Sequence, residues 1–504
     1  MDVLKSEEAV EPLEREAAGP AHHAGNEPLD RHIATVLFVL IVISLSGSVL
    51  AKFLSDLFGK DDYGLLRIVL AIIGLWQMTF NFRLRAGLHY MLARQRAGED
   101  DLPPIDRATG LCLAFDVMAM AALAGMLFFM APQLAAWYDR PDATMYLRLL
   151  SVFLVLQPFH DVVETLLNAN KRFAISSMAT FSRTLVPSST ALAVGWLHGP
   201  GPDRLFWAIL GYGLGMAAVY IAWCLTNVRS ICFCPHVWRE RRIIFDLGRI
   251  AWPVWFGELI KGAQPALLQL LAGTIVLSEA GVVAIAQVII GPSEMIGWAV
   301  RTVAMPLVAE RRASERSAIA DLLIRAHNYL LFPTLAVLWV AGPTIIRTFF
   351  APEFHGATRY LPVLVLMMVG NSFTRVATWT LVGAGKAYTY AMVMGTVAVV
   401  SIPGMFLSTL WAHSIMAAAW WMTAGWFVGV AATLYMIRAF GIRLNWIRTF
   451  VEPAGWALLT ALLVWLTMHE SQSIAILAIV ALVGLVLPML TVRKHLRTLR
   501  AVTA

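Results

Sequence analysis

Charge is what this 504-residue chain has least of: Asp, Glu, Lys and Arg together make up 14% of it, against 59% hydrophobic residues. An ordinary soluble protein carries about a quarter charged residues. So little polar surface cannot cover a water-soluble globule of this size, and a mean hydropathy of +0.69 agrees. Cysteine is scarce as well. Cys112, Cys224, Cys232 and Cys234 fall in apolar stretches or in one basic loop, which gives no disulfide framework. Cys232-Phe-Cys234-Pro-His236 is half of a metal-ligand pattern, but no second ligand cluster stands near it in sequence, so no metal is expected. Long polar stretches are missing too. Fourteen spans of roughly 20 residues each would consume about 300 residues, leaving short loops and one tail. That excludes a large soluble catalytic domain, and no catalytic residue is assigned.

What is present is a series of apolar runs, at 33–58, 64–86, 108–131, 146–168, 174–197, 205–227, 248–273, 281–306, 327–347, 360–384, 388–411, 414–437, 450–468 and 473–492. Each can cross ~30 Å of hydrocarbon. The expected fold is an all-α polytopic membrane protein of about 14 transmembrane helices. Residues 1-31, with Glu7, Glu8, Glu11, Glu14, Glu16 and Glu27, form an acidic tail that cannot bury a core and is expected to be disordered. The first apolar run follows acids rather than a basic segment and exceeds a signal-peptide core in length, so it is expected to remain as the first span.

The net charge of +7 is informative through its placement. Alternate loops carry the Lys and Arg: Arg83 to Arg107, Lys171 and Arg172, Arg229 to Arg249, Arg311 to Arg325, Lys386, Arg438 to Arg448, and Arg493 to Arg500. The intervening loops hold only Lys60, Arg140, Arg204, Arg347 and Arg359. The positive-inside rule then puts both termini in the cytoplasm. The basic excess is a topology signal, and no nucleic-acid partner is implied.

Sliding the chain against itself by about 217 residues aligns Gly64 with Gly281, Ile72-Ile73-Gly74 with Ile289-Ile290-Gly291, and Met78 with Met295. Leu166-Leu-Asn-Ala-Asn-Lys171-Arg-Phe173 likewise matches Leu381-Val-Gly-Ala-Gly-Lys386-Ala-Tyr388. Two copies of one six-helix unit follow, related by an axis along the membrane normal because six crossings restore the orientation. The expected division is an N-terminal lobe at 32-228, a cytoplasmic linker at 229-247, a C-terminal lobe at 248-438, two extra helices at 439-493 and a basic cytoplasmic tail at 494-504.

Three segments in this duplicated frame carry a family resemblance: Leu57-Phe-Gly-Lys-Asp-Asp-Tyr63-Gly64-Leu, the Leu-Asn-Ala-Asn-Lys-Arg-Phe close of the fourth span, and Phe349-Phe-Ala-Pro-Glu-Phe-His-Gly-Ala-Thr-Arg-Tyr360. In their joint order the chain resembles the polysaccharide transporters, the Wzx-type lipid-linked oligosaccharide flippases of the multidrug/oligosaccharidyl-lipid/polysaccharide (MOP) superfamily, from about 33 to 492. The resemblance implies two lobes and a cavity lined largely by spans 1, 2, 7 and 8. It also implies movement of an undecaprenyl-diphosphate-linked glycan across the bacterial inner membrane by alternating access, for exopolysaccharide, capsule or O-antigen synthesis. The membrane lipid, and the polymerase and export machinery of the same pathway, are the implied partners. Gln269 departs from the family, whose members often carry an ionisable residue there.

Ionisable groups inside spans are costly and face a cavity or a partner by default. The first span carries Ser44, Ser48, Lys52 and Asp56 on one face, the second Arg67, the seventh Glu258, Lys261 and Gln264, and the eighth Gln287, Gly291, Glu294, Trp298 and Arg301. Lys52, Arg67, Lys261 and Arg301 are therefore the candidate ligands of a diphosphate, as a ladder of charge-assisted hydrogen bonds. Snorkelling to the headgroups is the alternative for Lys52, Arg67 and Arg301; Lys261 lies too deep for it. Glu258, Glu294 and Asp56 are candidate sites for a coupling proton or sodium ion, since a buried carboxylate can exchange a proton over a useful pH range. Neutralising Lys261 is the alternative for Glu258 or Glu294. No other cofactor is expected. His160, Asp161 and Glu164, with Arg375 at the repeat position of His160, form a polar strip expected to hold each lobe together, with direct substrate contact as the alternative. Asp116 and Arg183 are read in the same way.

Two other functions are consistent with a polytopic chain. A membrane glycosyltransferase, polymerase or ligase needs a large outer loop, and none here exceeds about fifteen residues. A multidrug or lipid II exporter of the same superfamily differs only in the sign and shape of its cavity.

Overall fold

The computed structural model describes residues 29–96, 104–169, 172–226, 241–309 and 313–470. The acidic tail up to residue 28, most of the 229-247 linker with its cysteines, the fourteenth apolar run and the 494-504 tail lie outside the described residues.

The N-terminal lobe contains α1 (Leu29–Phe80), α2 (Leu84–Arg96), α3 (Ile105–Ala136), α4 (Ala143–Leu154), α5 (Gln157–Ala169), α6 (Phe173–Leu197) and α7 (Arg204–Thr226). The C-terminal lobe contains α8 (Arg241–Ile275), α9 (Leu277–Ala309), α10 (Ala313–Phe349), α11 (Leu361–Gly383), α12 (Ala387–Leu410) and α13 (Ile415–Ala439). A 3-10 turn at Pro352–Arg359 precedes α11, and a π-turn at Ile447–Val451 leads into α14 (Glu452–Glu470). No strand occurs among the described residues.

Several boundaries differ from the hydropathy reading, each for a local reason. Spans 1 and 2 are joined within α1 by a single non-helical residue, Gly59, at φ 70°, a conformation open to glycine without steric cost. Span 2 ends at Phe80 rather than 86. There the Arg83 amide donates to the Asn81 side-chain oxygen at 3.3 Å, and Arg83 adopts φ 56°, a side-chain turn that competes with helix. The chain then starts α2 as a separate helix. Span 4 is broken between α4 and α5 with a bend of 44°, because Pro158 has no N–H to give the Leu154 carbonyl. α8 begins at Arg241, so the expected linker is partly helical.

Among the described residues nine helices are long and apolar enough to cross a membrane alone, and ten with α4 and α5 as one bent span. α1 counts once there although it holds two spans, and α6 and α8 are too polar to qualify. Thr180, Arg183 and Ser188 of α6 and Glu258 of α8 face the interior described below. Large exposed side chains such as Phe129, Val399 and Leu458 coat the outside, as expected where lipid is the solvent. Trp137, Trp196 and Trp411, at 70%, 71% and 80% exposure, sit at the C-terminal ends of α3, α6 and α12. Alternation of the spans puts these three ends on one side, where they form an interfacial aromatic belt.

The lobes meet along α1, α8 and α9, and one continuous core includes Leu65, Val69, Leu147, Val283, Leu364 and Trp426 from both. At one end of the seam a Cβ on Gly64 would lie 2.4 Å from the Leu277 carbonyl oxygen, and one on Gly281 would lie 3.4 Å from the Gly64 nitrogen. Gly64 and Gly281 are the pair aligned by the repeat, and equivalent residues touch only near the axis that relates them. Beside them Tyr63 packs edge-on against Phe354 at 5.7 Å. At the other end a Cβ on Gly87 would lie 2.2 Å from the Leu247 carbonyl oxygen. There Trp255 Nε1 donates to the Met78 and Thr79 carbonyls at 3.1 Å each.

Candidate functional site: a charged cavity between the lobes

Between these two seams lies a cavity of about 720 Å³. α1 lines it from Ile43 to Met78 and the turn after it adds Asn81, α5 and α6 add a polar wall from the N-terminal lobe, and α8, α9 and Trp379 of α11 close it from the other lobe. Arg67, Arg83, Arg85, Arg183 and Arg301 face it, against Asp161, Glu164 and Glu258. The lining thus carries two positive charges in excess.

These charges are organised around two buried acids, one per lobe. Asp161 of α5 takes Arg85 at 2.6 Å and Arg183 at 2.8 Å, with Gln157 donating at 3.2 Å and Asn81 at 3.4 Å. Glu258 of α8 takes Arg301 at 2.8 Å, Lys261 at 3.5 Å and Arg83 at 3.9 Å, and the Tyr390 hydroxyl donates to it at 2.8 Å. Arg301 also lies 4.2 Å over the Trp379 ring and 5.7 Å over Trp298, a cation–π contact that fixes its plane. The turn after α1 therefore hands Arg83 to the acid of one lobe and Arg85 to the acid of the other. Phe82, just before them, packs on Phe115, Trp252 and Trp255 at 5.4–5.6 Å. Arg67 makes no ion pair among the described residues, and its Nε has no hydrogen-bond partner.

Of the four expected cationic ligands, Arg67 and Arg301 line the cavity. Lys52 is bound to Asp56 one turn on and does not. Lys261 stays beside Glu258 and is not a lining residue. Glu294 pairs with Arg375 at 2.8 Å instead of with Lys261. His160 and Arg375, equivalent in the repeat, are both fully buried inside their lobes. Glu164 accepts from Thr180 at 3.2 Å. Asp116 lies 3.9 Å from the Cys112 thiol. Gln269 donates to Gln287 where the family often has an ionisable group. His160, Asp161 and Glu164 offer ligand atoms within 4.8 Å of one another, yet two guanidiniums already occupy the Asp161 carboxylate, so the group fits an ion-pair cluster better than a resident metal. Arg83, Arg85 and Arg183 are cavity arginines that sequence reasoning did not place on the cavity, Arg183 having been read as an intra-lobe partner. The first two were counted as loop charges, and only the Asn81 turn distinguishes them.

Two helical lobes closing on a polar cavity inside a multi-pass membrane protein define a transporter rather than an enzyme. The chain belongs to the polysaccharide biosynthesis protein family, whose model matches residues 49–359, more than half of its length. Among solved structures it is similar to the lipid II flippase MurJ in an inward closed conformation, with a TM-score of 0.64 at 13% identity, covering 90% of this chain and 99% of that one. It is also similar to an outward-facing multidrug resistance MATE family transporter of the MOP superfamily, with a TM-score of 0.60 at 14% identity, covering 82% and 96%. A MOP superfamily transporter from Pyrococcus furiosus, described as having a binding pocket of reverse polarity, gives the same TM-score, identity and coverage. At these identities the likeness is one of fold. No curated protein matches the sequence.

Proposed function

We propose that the chain moves an undecaprenyl-diphosphate-linked oligosaccharide from the cytoplasmic to the periplasmic leaflet of a bacterial inner membrane by alternating access, for polysaccharide synthesis, with both termini cytoplasmic. The observation that carries this reading is the five arginines facing a cavity with three carboxylates. A diphosphate entering such a space exchanges hydration for charge-assisted, forked hydrogen bonds. A cationic drug would meet two uncompensated positive charges there. Arg67 and Arg301 remain the preferred ligands, joined by Arg83, Arg85 and Arg183. Glu258 and Glu294 remain candidates for a coupling proton or sodium ion, and the polymerase and export machinery of the pathway remain candidate partners. Lipid II is the alternative cargo, favoured by the MurJ-like extent of the fold.

Proteoliposomes containing the protein and a fluorescent undecaprenyl-diphosphate-linked oligosaccharide test the reading. Expected is accelerated access of the lipid to a quencher outside the vesicle, lost in Arg67→Gln/Arg301→Gln. Export of cationic dyes with no movement of the lipid would overturn it.

A further inference from the structure

A second cavity, of about 230 Å³, lies inside the N-terminal lobe and shares Leu70, Gln77, Arg183 and Tyr212 with the wall of the first. Its floor is helix backbone: a Cβ placed on Gly74 meets nothing within 4 Å. Gly74 is the last residue of the Ile-Ile-Gly segment that the repeat aligns with Ile289-Ile290-Gly291, and Gly291 lines the main cavity in the other lobe. The two equivalent glycines differ in their surroundings: a Cβ on Gly291 would meet the Ser44 hydroxyl at 3.2 Å, whereas Gly74 borders the side pocket.

The lining selects the ligand class. Tyr212 and Tyr220 supply rings with phenol groups, Arg183 and Gln77 supply donors and an acceptor, and Ile73 and Met216 supply an apolar face. Arg183 excludes a cation. It is already paired with Asp161 at 2.8 Å, so the pocket has no spare charge for a second anion. At ~30 Å³ per water molecule the volume equals about seven or eight waters, far short of a long polyprenyl chain. A neutral ring with hydroxyls on its edge and C–H groups on its face satisfies all of these limits.

We propose that this side pocket is a subsite for a single sugar residue of the lipid-linked glycan, held while the diphosphate lies among the arginines of the main cavity. The proposal rests on the flippase reading above. It makes Gly74 a specificity-determining position, because any side chain there fills the sugar's space without touching the main cavity.

Binding to the full-length protein in nanodiscs tests it, with undecaprenyl diphosphate either bare or carrying one glucose, galactose or N-acetylglucosamine. Wild type should bind one sugar-bearing lipid at least tenfold more tightly than the bare lipid. Gly74→Leu should reduce that preference to under twofold and leave the Kd of the bare lipid unchanged, with Gly74→Ala intermediate. Replacing glycine inside a helix favours the helix, and a Tm at or above that of wild type for each variant checks this. If Gly74→Leu alone loses Tm, Gly74→Ala and Gly74→Val are read for the same graded loss. Absence of any sugar preference in wild type, or its survival in the filled variants, overturns the subsite alone. Failure of every lipid to bind, the bare one included, overturns the flippase reading and the subsite with it.

Discussion

Glu258 shows what a single buried side chain does here. It is 6% exposed and balances Arg301, Lys261 and Arg83, so Glu258→Gln leaves three cations facing one another. Removing one partner of a buried ion pair costs about 3–5 kcal/mol. The expected result is a lowered Tm in detergent together with lost transport. Lys261→Met removes one cation of three and leaves Glu258 with two, so Tm should change little and lipid movement should largely persist. If Lys261→Met abolishes movement at unchanged Tm, and Lys261→Arg restores part of it, Lys261 itself contacts the cargo. Depth made Lys261 the leading candidate in the sequence, because a one-dimensional reading ranks a charge by its distance from the span ends. It cannot rank it by the side of the helix on which its carboxylate lies, three residues back. The same limit hid Arg83 and Arg85. They stand at the very end of the 64–86 apolar run, where Lys and Arg ordinarily report topology, and only the turn at Asn81 folds them back onto the lobe acids.

Elements were legible where hydropathy alone decides, and their ends were not. Thirteen of the fourteen apolar runs coincide with helices or helix pairs in the described residues, since burial or lipid contact of some twenty apolar residues dominates local preference. The break at Pro158, the stop at Phe80 and the single-residue joint at Gly59 depend on one missing N–H, one asparagine side chain and one positive φ, all weak signals against an apolar background. Two of the three segments that carried the family resemblance, around Tyr63-Gly64 and around Phe354, pack on each other in the seam. Their pattern therefore reports how the lobes close. A Cβ at Gly64 would stand 2.4 Å from the Leu277 carbonyl, and one at Gly87 would stand 2.2 Å from that of Leu247; backbone atoms cannot give way cheaply at either end. Gly64→Val should wedge the lobes apart at one end and Gly87→Val at the other. With Gly47→Cys as a probe in the cavity wall, a membrane-impermeant thiol reagent applied from one face should label only one of the two variants faster. Equal labelling of both from the same face would show that the seams do not gate the cavity separately.

At the scale of the molecule the internal repeat and the charge of the loops make a joint commitment. Two lobes related by an axis along the membrane normal insert in the same orientation, so every odd-numbered span must run one way and every even-numbered span the other. The belt of Trp137, Trp196 and Trp411 at the C-terminal ends of odd-numbered spans is independent of the basic loops, and both patterns assign sides consistently. Aromatic residues favour both interfaces, whereas Lys and Arg favour the cytoplasmic one, so the direction itself rests on the arginines and lysines. Two exposed positions separate the possibilities: Asp203, between α6 and α7 on the side of the tryptophans, and Tyr388, at the start of α12 beside Lys386. In a background without the native cysteines, Asp203→Cys should react with an impermeant maleimide in intact spheroplasts and Tyr388→Cys only after lysis. Reaction of both in intact cells would break the alternation between the sixth and eleventh spans, and with it the two-lobe repeat. The reverse pattern would keep the repeat and invert the chain, which would reverse the cargo's path through the protein, because a cargo built on the cytoplasmic leaflet would then enter from the aromatic side.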